Sequence, residues 1–383
     1  MTPAPRRVLI VSADIGEGHN SAGRALEEAI IRQWPGCEVR WLDTLAAMGP
    51  GVGPVARAFY VSQVQRVPWM YEFFFSAMWR HRWYLESTRR SIGSWSGRRM
   101  RAGIRAFGPD MIVSTYPLGS AGLSWLRAHR QLKTPVGAWI PAFCPHPTWL
   151  YPNLDLTYVM HPAAAEVATR AEPGIPVAVG ALPVRDAFAP ADQGAARDRL
   201  GLVRDRFVAL LCTGSLGFGR VDDAVSALLS AGPGIQAVVV CGRGDRLRAE
   251  LTARGEPPRR LRVLGWTDDM PGWMAASDVV LTNAGGATGL EAVASGRPVI
   301  MFDPIAGHGR ANATLMASAG LARLARSPAE LAEIIRGMAA GRAGQAAPAG
   351  AGAAGPAGPG GPAGPAARRR EDDLAELAAM AGR

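Results

Sequence analysis

The sequence predicts an α/β protein made of two doubly wound halves, each a sheet of parallel strands joined by crossover helices. Three observations carry that prediction. Short β-branched runs alternate with helical stretches through the first half, the alternation restarts in the second, and a glycine-rich turn follows the first strand of each: "SADIGEGHNSAG" and "CTGSLGFGR". Strands spaced by whole helices pair in parallel, because a tight hairpin cannot join them.

In the front half, "RVLIVSA" leads into the helical "SAGRALEEAIIRQW", followed by "EVRWLDT" and later by "MIVSTYP" and "TPVGAWIP". In the rear half, "FVALLCTGS" precedes a helix near "VDDAVSALLSAG", and "IQAVVVCG" precedes "DRLRAELTARG". "LRVLGW" and "ASDVVLTNA" come next, then a helix from "TGLEAVASG" and the strand "RPVIMFDP". Between the halves, Pro173, Pro176 and Pro183 mark "EPGIPVAVGALPVRDAF" as a hinge. The expected boundaries are a front domain at 1–185, a rear domain at 186–340, an Ala/Gly/Pro linker at 341–366 without a periodic apolar face, and a short amphipathic helix at 367–383.

A chain of 383 residues, 48% hydrophobic and 19% charged, suits two domains of roughly 150 to 200 residues. No apolar stretch reaches the roughly 18 residues of a spanning helix. The net charge of +10 carries little weight alone: Lys133 is the single lysine, and the excess of Ala, Gly, Pro and Arg fits a GC-rich coding bias. Position says more. Arginines 80, 82, 89, 90, 98, 99, 101 and 105 face one acid, Glu86, over the same stretch, and such a patch attracts anions. Cysteines 37, 144, 212 and 241 lack metal-site spacing, and Ser12, Asp14 and Glu17 interrupt the apolar start as no signal peptide would. A reducing cytoplasm is the expected compartment.

In the first glycine turn, Gly16 and Gly18 bring backbone N–H groups and a helix N-terminus to one point, suited to a phosphate or a developing alkoxide. Asp43 ends the next strand at a distance that suits a dinucleotide fingerprint, but Ser21 stands where a third glycine belongs. His19 at the crevice mouth is either a general base for an acceptor hydroxyl or a structural, helix-capping histidine. In the rear half, Gly214, Ser215, Gly217 and Gly219 allow close approach of a diphosphate. Gly285, Gly286 and Thr288 open a helix carrying Glu291, a carboxylate placed to grip ribose hydroxyls, and "DPIAGHGRAN" follows the next strand.

Taken together, "GEGHNSAGRAL", "CPHPTWLYPNLDLTYV", "GWTDDMPGWMAASDVVLTNAGGATGLEA" and "DPIAGHGRANA" resemble the monogalactosyldiacylglycerol synthase and processive diacylglycerol glucosyltransferase family, relatives of the transferase that makes lipid II, over roughly residues 7–338. The resemblance implies a GT-B fold, with two Rossmann-like domains facing across a cleft, and metal-independent inverting transfer of a hexosyl group from a UDP-sugar to a diacylglycerol-like lipid. No cofactor is implied beyond the donor. It makes His19 the general base or an orienting residue for the acceptor hydroxyl, with Gly16, Gly18, His146 and Trp149 toward the acceptor. The 214–219 loop becomes the diphosphate cradle, and Trp266, Thr267 and Met270 the uracil stretch. Gly285, Gly286, Ala287 and Thr288 lie beside the pyrophosphate, with Glu291 on the ribose and His308, Gly309, Arg310 and Asn312 toward the sugar. Two departures stand out. Pro141 and Ala142 replace an acid common in relatives, and His308 replaces a common Gln.

Residues 56–105 join the arginine patch to Phe59, Tyr60, Trp69, Tyr71, Phe73, Phe74, Phe75, Trp79, Trp83 and Tyr84. That composition suits the headgroup layer of an anionic membrane, against the plainer reading of a buried helical hairpin. The expected placement is therefore peripheral on the inner face of the cell membrane, with no nucleic-acid partner. Alternatives left open are a soluble acceptor, a UDP-sugar epimerase of the same fold, and a non-catalytic nucleotide sensor.

Overall fold

The computed structural model describes residues 4–215, 217–283, 286–346 and 369–380. In the front half the elements run β1 (Arg7–Ser12), α1 (Glu17–Gln33), β2 (Glu38–Asp43), α2 (Thr44–Met48), α3 (Val52–Arg66), α4 (Pro68–Arg80), α5 (Arg82–Phe107), β3 (Met111–Ser114), α6 (Pro117–Ala128), β4 (Val136–Trp139), β5 (Leu156–Val159), α7 (Pro162–Ala171) and β6 (Val177–Val179). The rear half runs α8 (Gln193–Leu200), β7 (Phe207–Cys212), α9 (Val221–Ser230), β8 (Ile235–Val240), α10 (Asp245–Thr252), β9 (Leu261–Leu264), α11 (Met270–Ala276), β10 (Val279–Thr282), α12 (Gly286–Ala294), β11 (Val299–Phe302), α13 (His308–Ser318), β12 (Arg323–Ala325) and α14 (Pro328–Ala346). A last helix, α15 (Arg370–Ala379), follows.

The strands form two six-stranded sheets, ordered β2-β1-β3-β4-β5-β6 and β12-β11-β10-β7-β8-β9. The strand pairings in both sheets are parallel, for example Val8 with Val39 and Met111, or Leu210 with Val238 and Val280. Central strands such as β7 and β8 are buried along their whole length, as strands covered by helices on both faces must be. Both sheets turn the C-terminal ends of β1 and β7 toward the same crevice, which is where a doubly wound sheet binds its ligand.

Three strands escape the sequence pattern: β5, β6 and β12. The last two are three-residue edge strands, too short for a period to register. At the other end of the length scale, α14 continues to Ala346, past the boundary expected at 340, because "GRAGQA" contains no proline and the first one of that tract is Pro348. The remainder of the expected linker lies outside the described residues.

The C-terminal helix belongs physically to the front half. Leu374 and Leu377 are completely buried in the front core beside Trp139 and Tyr158. Leu377 reaches β4 so closely that a Cβ on Gly137 would sit 2.6 Å from it.

The arginine patch is divided by packing. Arg89 is buried, pairs with Glu172 at 2.8 Å and Glu86 at 3.0 Å, and donates to the carbonyls of Pro147 and Leu150 at 2.6 Å. It therefore fastens α5 to the segment carrying His146 and is not part of an open cationic surface. Glu172→Ala should lower stability by about 3–5 kcal/mol, because it leaves that guanidinium buried without its buried counter-charge. Chemical denaturation would measure the loss, and a change under about 1 kcal/mol would show the pair to be dispensable.

Candidate active site

Between the halves lies a cavity of about 700 Å3. Its front wall includes Gly16, Gly18, His19, His146 and Trp149, and its rear wall Gly214, Ser215, Gly286, Ala287, Thr288, His308 and Asn312. The two halves meet tightly around it. A Cβ on Gly286 would lie 2.7 Å from the Ala142 Cα, so only glycine lets α12 begin against the Pro141–Phe143 backbone. Asn312 accepts the Cys144 N–H at 2.7 Å, another bond across the cleft.

His19 rides on the first turn of α1, with its ring between Tyr116 at 5.1 Å and Trp149 at 5.7 Å. Nδ1 lies 2.8 Å from the Thr115 carbonyl oxygen. A carbonyl can only accept, so Nδ1 carries the proton and Nε2 keeps its lone pair. Burial lowers the imidazole to about 4, against the raising effect of the Thr115 bond. The ring is thus neutral at pH 7, and its tautomer is fixed by main chain. That supplies the orientation an acid near Pro141 and Ala142 would otherwise give.

His146 differs. Nε2 is 3.1 Å from the Phe75 carbonyl and must donate there, while Nδ1 faces the Thr148 hydroxyl at 2.8 Å. Both nitrogens are engaged, and the ring stacks on Phe75 at 4.0 Å, so His146 is a poor base and a firm prop. His308 places Nδ1 3.1 Å from the Tyr71 hydroxyl. Burial lowers both rings to about 4 as well.

Three imidazoles held below the unfolded value make stability depend on pH. As pH falls below about 6.5, the unfolded chain takes up protons that the folded chain refuses until about 4. The contribution of the three rings is therefore full above about 6.5 and drains away on acidification. Glu291, whose raised carboxyl takes up its proton first in the folded state, offsets about one of the three. The melting midpoint should fall steeply between pH 6.5 and 5, and a midpoint flat over that interval would contradict burial of the three rings.

Three hydrogen bonds tie the described residues of the rear glycine loop and its flanks. The Asn283 side-chain amide donates to the Phe218 carbonyl, Asp303 accepts the Arg220 N–H at 2.8 Å, and the Ser215 carbonyl accepts from Arg243 N–H at 3.0 Å. Gly217 and Gly219 occupy left-handed backbone at φ 68° and 95° and shape the loop without facing the cavity.

Several sequence candidates stand apart from the cavity wall. Gly285 lies outside the described residues. Trp266 is 45% exposed and stacks under the Arg243 guanidinium at 4.3 Å. Thr267 accepts the Asp269 N–H at 3.2 Å, Met270 starts α11 against the core, and Arg310 pairs with Glu72. Glu291 is half-buried and accepts from the Ser21 hydroxyl at 2.9 Å, with desolvation raising its carboxyl to about 7. Asp43 is committed elsewhere, accepting from the Asp14 and Ala46 N–H groups at 2.8 Å. That arrangement removes it as a ribose ligand.

The aromatic cluster also divides. Tyr60, Tyr71, Phe75 and Tyr84 line the cavity, and burial pushes the Tyr60 hydroxyl up to about 12. Trp69, Phe73 and Trp83 point outward at 72%, 63% and 72% exposure. The i, i+4, i+7 spacing of Tyr71, Phe75 and Met78 is the signal that separates the inward face. Ser21 and Glu72 had no such signal. Among the described residues, no three His, Cys, Asp or Glu side chains gather as a metal site, and no helix is long and apolar enough to cross a membrane.

Two facing parallel sheets around a crevice with a neutral imidazole on one wall and glycine turns on the other define a GT-B glycosyltransferase. A family model described as monogalactosyldiacylglycerol synthase matches residues 19–176, and one described as glycosyl transferases group 1 matches 208–340. The chain is 30% identical over 352 residues to a probable chloroplastic monogalactosyldiacylglycerol synthase 2 of Oryza sativa subsp. indica, covering 86% of this chain and 72% of that one. It is 25% identical to a processive diacylglycerol beta-glucosyltransferase of Bacillus cytotoxicus, with 85% and 83% covered. Among solved structures, the SnogD glycosyltransferase of Streptomyces nogalater aligns with a TM-score of 0.56 at 18% identity over 98% of this chain and 99% of its own. Acinetobacter baumannii MurG aligns at 0.52 and 16%, over 88% and 94%. The chain belongs to the family of monogalactosyldiacylglycerol synthases and processive diacylglycerol glucosyltransferases.

Proposed function

We propose that the protein transfers a hexosyl group from a UDP-sugar to a diacylglycerol-like hydroxyl at a membrane surface. The observation that carries this reading is one cavity walled by His19 with a free Nε2 lone pair on one side and by the 214–215 and 286–288 turns on the other. In a direct displacement, Nε2 takes the acceptor proton as the hydroxyl oxygen bonds to the anomeric carbon and the UDP oxygen leaves. Loop N–H groups and the start of α12 face the departing diphosphate, supplying fixed dipoles where charge develops. Relatives named for diacylglycerol transfer support the acceptor class, and a UDP complex of the structurally similar S. aureus MnaA supports the donor class.

In this reading Glu291 turns from Ser21 to the ribose when UDP enters. Glu291→Gln should weaken UDP about 10–100-fold, the loss of charge-assisted bonds to two hydroxyls. Titration calorimetry measures it. No heat from UDP or any UDP-sugar with the wild type would end the donor assignment, and mass spectrometry of lipids incubated with each UDP-hexose identifies sugar and acceptor.

The outward aromatics supply the membrane contact. Each ring that enters a bilayer contributes about 1.5–3 kcal/mol, so Trp69→Ser with Phe73→Ser should reduce sedimentation with phosphatidylglycerol vesicles by more than tenfold. Equal sedimentation of variant and wild type would place the membrane face elsewhere.

A further inference from the structure

The sugar end of the cavity is held by a side chain from the opposite half. Gly307, with φ 67° and ψ −109°, is the N-cap of helix α13, and no side chain of its own loop caps the helix. A Cβ at this position would meet the Tyr71 ring at 2.8 Å and the Phe75 ring at 3.1 Å, so α4 lies directly against the turn. From α4, the Glu72 carboxylate accepts the Gly307 N–H at 2.6 Å and Arg310 Nη1 at 3.3 Å. A front-half carboxylate thus stands at the positive end of a rear-half helix, where negative charge is stabilising. One residue earlier, Tyr71 meets His308.

Helix α4 itself has no fully buried residue; besides Tyr71 and Glu72, it is held through Phe75, whose carbonyl accepts from His146 Nε2 and whose ring stacks on His146. One face touches Gly307–Arg310, and the other presents Trp69 and Phe73 outward. A helix held along one face, with none of its residues in the core, can take up several seatings. A surface that accepts the two outward rings selects among them.

We propose that Glu72 is a positioning residue for the donor sugar, coupling the seating of α4 on a lipid surface to the turn that carries His308. This rests on the donor and membrane readings above. It adds a distinction between ligands. Bare UDP faces the 214–215 and 286–288 turns and is indifferent to Glu72, whereas the hexose reaches His308 and depends on it.

The test is calorimetric titration of UDP and of UDP-glucose and UDP-galactose into full-length wild type, Glu72→Gln and Glu72→Asp. Each titration is run with and without phosphatidylcholine vesicles containing phosphatidylglycerol, with melting midpoints recorded in parallel. In the wild type, vesicles should tighten at least one UDP-hexose about fivefold or more, the lower range of allosteric coupling, and leave UDP unchanged. Glu72→Gln should lose that gain while retaining UDP affinity and melting midpoint, and Glu72→Asp should recover part of it. Equal vesicle gains in Glu72→Gln and wild type would overturn the proposal. So would parallel losses of UDP and UDP-hexose affinity, the mark of a general contact between the halves. A wild type that binds UDP and vesicles yet shows no vesicle gain also overturns it, leaving the donor reading intact. A wild type silent to UDP defeats the donor reading first and this one with it.

Discussion

His19→Ala should reduce transfer about 10²- to 10⁴-fold, the usual worth of a positioned general base, with UDP affinity and melting midpoint close to wild type. The decisive companion is His19→Gln. Its side-chain amide can still donate to the Thr115 carbonyl that holds Nδ1 at 2.8 Å, so a merely structural histidine would be largely rescued. A base would not be, because the amide nitrogen offers no basic lone pair. Activity of His19→Gln within threefold of wild type by initial-rate assay would remove His19 from the chemistry.

The environment of that ring shapes the expected pH profile. Burial, the largest influence, lowers it to about 4, and nearby His308 lowers it further. The His19 ring is therefore unprotonated across the physiological range. The acid limb of kcat/KM should lie below pH 5, and not near the ordinary 6.5. An imidazolium formed there has a carbonyl behind Nδ1 and no carboxylate, so the counter-charge must come from the diphosphate as it departs. In the proposed mechanism, proton transfer and bond cleavage are thereby tied to the same step. An acid limb centred near 6.5 would mean that the proton acceptor is solvated, which the ring between Tyr116 and Trp149 is not.

How much of this was legible in the sequence depends on distance along the chain. Period and turn chemistry are local, so the nine strands read from β-branched runs are present, and the glycine turns at 16–18, 214–215 and 286 reach the cavity. Contacts set by docking were invisible. Ser21 bonds Glu291 at a separation of 270 residues, and Glu72 meets Gly307 at 235. Neither residue stands out in its own neighbourhood. The aromatic stretch misled in part for the same reason. Composition places rings beside arginines and helical spacing groups Tyr71 with Phe75, but the packing of α4 against the rear half decides that this pair faces the cavity while Trp69 and Phe73 face out. Arg89, counted in a surface patch, proved to be an internal fastener because its counter-charge Glu172 is 83 residues away.

Removal of residues 369–383 should cost most of the protein's stability, although the segment looks like an appendage in the sequence. Leu374 and Leu377 are fully buried, together worth about 3–6 kcal/mol. Asp373, also fully buried, accepts the Ala181 N–H at 2.7 Å, and its carbonyl accepts from the Tyr158 hydroxyl at 2.6 Å. Those bonds add about 2–4 kcal/mol. The sum is a large part of the roughly 5–15 kcal/mol that holds a domain folded. The position of the contacts matters as much as their energy. Arg370 donates to the Leu182 and Val184 carbonyls and pairs with Asp186, so α15 clamps the segment read as the hinge between the halves. The truncated chain should therefore melt at a much lower temperature. Leu377→Ala, a milder cut of about 2–5 kcal/mol, should lower the midpoint in proportion without emptying the donor site. A truncated chain melting within a degree or two of wild type would show that α15 rests on the front half without supporting it. The hinge would then have to be held by its own prolines.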